Sequence, residues 1–343
     1  MTKIERVAFI GQLEYNLPFF ESDLSEQFDA KVFHARASNA GFAFSTSEDG
    51  IHIDEFKPDI SVFFRPEFFR NEALDRLGGI KIAISTEPFP KFINGKLFFS
   101  KDSISRFKRF LAASELNFDY ILHYDESSLS FMRMMGAHVS GILPLPVATG
   151  TWKPSTRSSP RWEIAFLGRS TEHRERHFGL LKRDLRFLHI AHGLTGAEAL
   201  PYYHSSIIGL NIHAENEPSW TPRLQQLMSS GLLVVSEPIP PNTFFRPGEH
   251  FIEVKSPQDT YEVCRAITSE PSRYDHIRVA GMVETQKNLS AKVIWPDLFQ
   301  KCASGKLTRP RFDLSLARLE PLEVCAEFNG FDHLLERLVQ GHA

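Results

Sequence analysis

The sequence predicts an α/β protein built from two parallel-sheet domains that face each other across a cleft. Short apolar runs alternate with helical spacing through both halves of the chain, the pattern of strands covered on both faces. A stretch rich in Pro, Ser, Thr and Gly, "LPLPVATGTWKPSTRSSPRW" (143–162), separates the halves and reads as the linker. The length of 343 residues also exceeds what one core usually supports. Two βα halves so joined are two Rossmann-like domains, whose ligands sit at the carboxyl ends of the strands. The expected boundaries are 1–148, 149–305 and a helical tail over 306–343.

In the first half, "RVAFIG" (6–11) is the first strand, "LPFFESDLSEQF" a helix and "AKVFHA" the second strand. Residues 59–66, 80–86 and 118–124 are further strands. "SISRFKRFLAASE" and "ESSLSFMRMMG" carry helical spacing, and Gly136 closes the second as a C-cap would. After the linker the rhythm resumes with strands at 162–168, 186–191, 207–213, 232–237 and 251–254. A basic helix follows the first of these, and "SWTPRLQQLMSSG" places a helix before the fourth. Residues 256–303 are helical, and "LARLEPLEVCAEFNGFDHLLERLVQ" predicts a helical tail that binds a partner or wraps the second domain.

Composition narrows the function. The net charge is -3 with 42% hydrophobic and 24% charged residues, and the basic side chains are scattered apart from Arg169 to Arg186. That excludes a nucleic-acid partner with a basic footprint. Most of the 30 Phe fall in strand or helix patterns and read as core. Cys264, Cys302 and Cys325 lie far apart without a CxxC, which argues for a reducing compartment and against a disulfide framework. No apolar signal segment or bilayer-length run occurs, so the expectation is a cytoplasmic protein with at most peripheral membrane contact.

Polar residues gather where the strands of the second half end. "FLGRSTEHRER" puts Gly168, Arg169 and Ser170 at a turn, with Arg174 and Arg176 in the helix beyond. Gly admits a ligand to the backbone, and early helical N–H groups favour an anion. "GLNIHAENEPSW" ends a strand on Asn211 and His213, followed by Glu215 and Glu217. Arg223 opens the next helix, and Gln226 shares its face. A guanidinium at a helix mouth, already partly positive, suits a phosphate group. The bland alternatives are a solvated basic helix face and a structural histidine, but four separate strand or helix ends carry anion-compatible residues. No GxxxxGK[ST], GxGxxG or GxSxG motif stands in the chain. The absence of D-x-D weakens a nucleotide grip through a divalent cation. The three His of "HFGLLKRDLRFLHIAH" have no metal-ligand spacing and read as packing or surface residues.

"WEIAFLGRSTEHRERHFGLL", "LPYYHSSIIGLNIH" and "TPRLQQLMSSGLLVVSEPIPPNTFFRPGEHFIEV" together resemble the C-terminal domain of CgeB-type glycosyltransferases. The likeness extends less sharply back to "YILHYDESSLSFMRMMGAHVSGILPLPV" and covers residues 55 to 300. It implies a GT-B fold whose C-terminal domain holds a nucleotide-sugar donor without metal, with Arg223 at the diphosphate. Where the family commonly has Glu in the R-x-x-E-x-x-x-x-G helix, this chain has Gln226, which accepts a hydrogen bond but brings no charge.

The resemblance implies transfer of a sugar from a nucleoside diphosphate to a glycan, lipid-linked or protein acceptor, with no further cofactor. Gly168, Arg169, Arg174, Asn211, His213, Arg223 and Gln226 are the expected donor-binding residues. If the reaction inverts configuration, a base in the first domain takes the acceptor proton. Glu14 and Glu87, at strand ends facing the cleft, are the candidates, with Asp125 third; a surface or capping role is the alternative for each. Retention would need none. A second reading keeps the fold without turnover, as a scaffold or nucleotide-sugar sensor beside an active transferase. A sugar epimerase on a similar fold lacks a readable acid/base pair.

Overall fold

The computed structural model of the protein describes residues 4–20, 24, 28–38, 41–47, 49–155, 160–194, 196–313 and 315. The first half folds around strands β1 (Arg6–Gly11), β2 (Asp29–His34), β3 (Ile60–Phe64), β4 (Ile80–Ser85), β5 (Tyr120–His123) and β6 (Gly141–Ile142). They pair in parallel in the order β6-β5-β4-β3-β1-β2. Alternation along β1 sends Ala8 and Ile10 to one face and Val7 and Phe9 to the other, and each face carries its own core. Helix α1 (Lys101–Phe110) covers the first face through Ile104, Phe107 and Phe110 and starts on a Ser100–Ser103 capping box.

The second half repeats the plan. Strands β7 (Trp162–Leu167), β8 (Phe187–Ile190), β9 (Ser206–Asn211), β10 (Leu233–Ser236) and β11 (Ile252–Glu253) pair in parallel as β8-β7-β9-β10-β11. Around them lie α2 (Glu172–Asp184), α3 (Arg223–Ser229), α4 (Pro257–Ser269) and α5 (Asp275–Asn288), again with two separate cores. The structure thus holds two parallel sheets, one in each half of the chain, and every strand expected from the sequence is present within a residue or two. At the start of the helix expected from Leu17 the described residues form a 3-10 turn over Leu17–Phe19, and the backbone is extended at Phe20. Part of that stretch, 21–23 and 25–27, lies outside the described residues, as does nearly all of the expected helical tail.

The last described helix, α6 (Ala291–Ala303), leaves the second half and packs on the first. Its Ala291, Trp295, Leu298, Phe299 and Cys302 join the core that holds Val7, Phe9 and Phe64. The chain therefore crosses twice between the domains, at Val147 and at Ser290. The two crossings pair directly: Val147 N–H donates to Leu289 O and Ala291 N–H to Val147 O, both at 2.8 Å. Thr149 and Ser290 hydroxyls add a 2.8 Å contact. Residues 291–303 thus follow the second sheet in the chain but pack on the first. No helix among the described residues is long and apolar enough to cross a membrane. Cys264 and Cys302 are buried free thiols, and Cys325 lies outside the described residues.

Candidate functional site

In the second sheet β7 lies between β8 and β9, so the connections leaving β7 and β8 run to opposite sides. A crevice opens at such a switch point, at the carboxyl ends of the strands. Here it is a cavity of about 900 Å³ bounded by both domains. That volume suits a nucleotide-sized ligand. The second domain lines it with Gly168, Arg169, Arg174, His213, Arg223 and Gln226, and the first with Glu14, Tyr15, Phe19, Glu87, Ser100 and Asp102.

Three guanidiniums gather on the floor of this cleft. Phe166, buried at the end of β7, has the Arg174 and Arg223 guanidinium carbons each 4.9 Å from its ring centroid. Arg174 is held by two carbonyls, donating Nε–H to Ile212 O at 3.0 Å and Nη1–H to Arg169 O at 2.8 Å. Burial, then the charges of Arg223 and Arg169, push its pKa down to about 9. Burial also lowers that of Arg223. Among the described residues none of the three forms an ion pair, so the cleft floor carries positive charge that would suit an anionic ligand. Helix α3 itself is short, and Leu224 and Gln226 donate their N–H groups to the Thr221 and Pro222 carbonyls. The positive field therefore comes chiefly from the arginines and less from the helix mouth the sequence suggested.

Gly168 makes the arrangement possible. Its φ of 147° is a backbone conformation that L side chains rarely adopt, and a Cβ there would stand 3.0 Å from Arg223 Nη2. Gly168→Ala is expected to cost about 1–3 kcal/mol of stability and to displace the Arg223 guanidinium. Nucleotide affinity should fall by about tenfold, one lost order of charge-assisted contact. Calorimetric titration beside a thermal melt checks both.

The remaining expected residues divide. His213 lines the cleft, with Nε2 3.0 Å from Pro238 O and Nδ1 buried without a partner among the described atoms. Burial lowers its pKa to about 3, so the ring is neutral. Gln226 lines the cleft beside Arg223. Asn211 does not reach it: fully buried, it donates to Ser236 Oγ and accepts from Thr221 Oγ1, both at 2.9 Å, tying β9 to β10 and to the turn before α3. Arg176 points to solvent and pairs with Glu172.

The three carboxylates proposed as bases have three different surroundings. Glu14, after β1, is half exposed in the cleft, its carboxylate 3.5 Å from His34 Nε2. Glu87 also lines the cleft, but both its oxygens face guanidiniums, one of Arg65 at 2.5 Å and one of Arg106. Asp125 lies outside this cavity, buried 2.7 Å from Lys91 Nζ and accepting Ser127 N–H at 3.0 Å. Burial would raise its pKa, but the Lys91 charge and hydrogen bond, with Ser127, outweigh that and hold it low. It is a buried structural ion pair.

With this geometry in place, residues 156–298 match the family model described as glycosyl transferase-like. The second half of the chain carries a glycosyl transferase-like domain. The whole fold is that of GT-B glycosyltransferase structures. HepE from Anabaena, solved with UDP and glucose, superposes with a TM-score of 0.55 at 8% identity over 88% of this chain and 100% of that one. Sucrose-phosphate synthase from Thermosynechococcus elongatus gives 0.55 at 11% identity over 88% and 100%. An alpha-glucosyltransferase solved with UDP and DNA gives 0.58 at 10% identity over 86% and 98%. No curated protein matches by sequence.

The cleft also holds residues that the strand-end reading missed. The loop after β8 supplies Ala191, His192 and Gly193, and Trp152 and Tyr203 add aromatic walls. Burial raises the Tyr203 pKa to about 12 while Arg223 opposes it. The sequence signal for this loop was a glycine pair, Gly193 and Gly196, between strand and helix. Glu217 is buried with Oε2 unpartnered among the described atoms and Oε1 3.4 Å from Ser100 Oγ across the cleft. Burial raises its pKa despite Lys91 nearby.

Proposed function

We propose that this protein is a glycosyltransferase that moves a hexose-type sugar from a nucleoside diphosphate to a glycan, lipid-linked or protein acceptor. The observation that carries the reading is the unpaired trio Arg169, Arg174 and Arg223 around the Gly168 turn, at the switch point of a glycosyl transferase-like domain. The donor diphosphate lies against these guanidiniums, and no metal is needed there to neutralise it. As the acceptor oxygen attacks the anomeric carbon, the bond to the β-phosphate breaks and negative charge grows on the diphosphate. Preorganised guanidiniums in a partly desolvated cleft stabilise that charge. UDP is the nucleotide of first choice, because HepE and the alpha-glucosyltransferase were solved with it. The phrases around Gly168 and Arg223 support kinship with the CgeB-type family within this fold.

The sugar then projects toward Glu14, Tyr15 and Glu87 on the opposite wall. Of the two carboxylates, Glu14 has the freer oxygens and is the better base for an inverting reaction, passing the acceptor proton to solvent. Glu87, gripped by two arginines, serves better to hold Arg65 and Arg106 at the cleft. In Glu14→Gln, turnover should fall by about 10²- to 10⁴-fold while nucleotide affinity stays at the parent value. Unchanged turnover would remove Glu14 as the base and favour retention, where the leaving phosphate takes the proton.

A thermal-shift panel with UDP, GDP, ADP, dTDP and CMP in metal-free buffer tests the donor reading. One nucleotide at 100 times its Kd should stabilise by about 2.7 kcal/mol. Stabilisation without slow hydrolysis of any nucleotide sugar would instead support a non-catalytic sensor or scaffold, a reading that Gln226 in the cleft favours. No response to any nucleotide would overturn both.

A further inference from the structure

Outside the arginine cluster, two histidines one helical turn apart meet a glutamate at the exit of β10. His173 and His177 share a face of α2, and Glu237 follows Ser236. His173 Nε2 lies 2.7 Å from Glu237 Oε1, and His177 Nε2 lies 3.6 Å from the same oxygen. The side chains are only 16, 3 and 9% exposed, in the order His173, His177, Glu237.

The surrounding hydrogen bonds decide which nitrogen carries a proton. Thr260 Oγ1 donates its single proton to Ser256 O at 2.8 Å. It can therefore only accept from His177 Nδ1, which is 2.8 Å away. A neutral ring protonated at Nδ1 leaves a bare lone pair on Nε2, aimed at a carboxylate oxygen. From the other side, Glu237 Oε2 accepts the His213 backbone N–H at 2.7 Å. Each group is thus held from behind, and two electron-pair donors face each other in a buried place. His173 Nε2–H can offset their repulsion by donating to Oε1 at 2.7 Å, and a bound cation would replace this hydrogen bond with coordination by all three groups.

We propose that His173, His177 and Glu237 bind a divalent transition metal of the zinc class, clamping α2 to the exit of β10. Two imidazoles and one carboxylate form an N₂O donor set that such ions favour, with a fourth position left for water. The donor atoms all lie within 4.8 Å of one another. Around one tetrahedral zinc they would be roughly 3.3 Å apart, so small side-chain rotations suffice. The sequence reading took His177 as a packing or surface residue and did not weigh His173, because their third ligand stands sixty residues away, at a strand end only the fold brings near. The three ligands are not themselves assigned to the donor, although Glu237 holds the His213 backbone N–H, and the test reads metal binding rather than transfer.

Cobalt(II), a spectroscopic substitute for zinc, tests the assignment on chelator-treated full-length protein. One equivalent of Co²⁺ should develop the strong visible absorption of a low-coordinate N/O site, and Zn²⁺ should displace it and raise Tm. His177→Gln and Glu237→Gln should lose the band, and exposed His276→Gln should keep it. Should either ligand variant fail to fold, Thr260→Val, which removes the partner of His177 Nδ1, should weaken Co²⁺ binding by about 10-fold. A weak spectrum like that of hydrated cobalt in the parent protein would overturn the proposal. So would a band that survives in folded Glu237→Gln, or an unchanged affinity in Thr260→Val.

Discussion

Arg223→Ala should weaken nucleoside-diphosphate binding by about 2–3 kcal/mol, a loss of one charge-assisted, partly desolvated contact. That corresponds to a Kd roughly 30- to 150-fold higher. The guanidinium rests against Phe166 and the Gly168 turn and forms no ion pair among the described residues, so its charge is available to a ligand. The same isolation predicts the effect on folding. Removing Arg223 relieves its repulsion of Arg174, so the free protein should melt at the parent temperature or slightly above it. Arg223→Lys should fall between the two, because an ammonium keeps the charge and loses the planar fork. Calorimetric titration with the nucleotide chosen by the thermal-shift panel, paired with melts of the free variants, gives both readings. Tight binding by Arg223→Ala would dismiss the diphosphate assignment, and a large drop in its melting temperature would make Arg223 a structural residue.

The largest stability loss should come from Trp295→Ala, about 3–5 kcal/mol in urea unfolding. Trp295 is fully buried on α6, with its ring 5.0 Å from Phe9 and stacked at 15° on Phe299. Its Nε1–H donates to Phe19 O at 2.8 Å. Truncation leaves a cavity in the core of the first sheet and strands that carbonyl, so both terms act together. Trp295→Phe fills most of the space and loses only the hydrogen bond, for a cost of about 1–2 kcal/mol. Because α6 follows the Ser290 crossing, weakening its anchor also loosens the second connection between the domains. A Trp295→Ala variant within 1 kcal/mol of the parent, a typical surface cost, would mean that α6 does not hold this core.

Much of this architecture was legible in the chain. The β7 run "WEIAFL" is apolar throughout because helices cover both faces of a parallel sheet, and such runs stand out in any sequence. Gly168, Arg169, Arg174 and Arg223 could be assigned to one edge because strand ends of a parallel sheet converge by topology. Asn211 shows where that logic stops. It occupies the expected strand end, yet a polar side chain there can serve the ligand or the neighbouring strand, and pairing with Ser236 is a contact made over twenty-five residues of sequence. Glu87 and Asp125 look alike as strand-end carboxylates. Their basic partners, Arg65 with Arg106 and Lys91, come from other segments and separate them only in space.

The sequence by itself determined the two βα halves, the order of their strands' chain segments and the glycine turn after β7, because these depend on local periodicity and local backbone freedom. Tertiary structure alone decided which polar side chains remain free to meet a ligand. It also returned α6 to the first domain and set His173, His177 and Glu237 within reach of one another. Those outcomes rest on burial and on partners distant in the chain, and neither leaves a periodic trace in sequence.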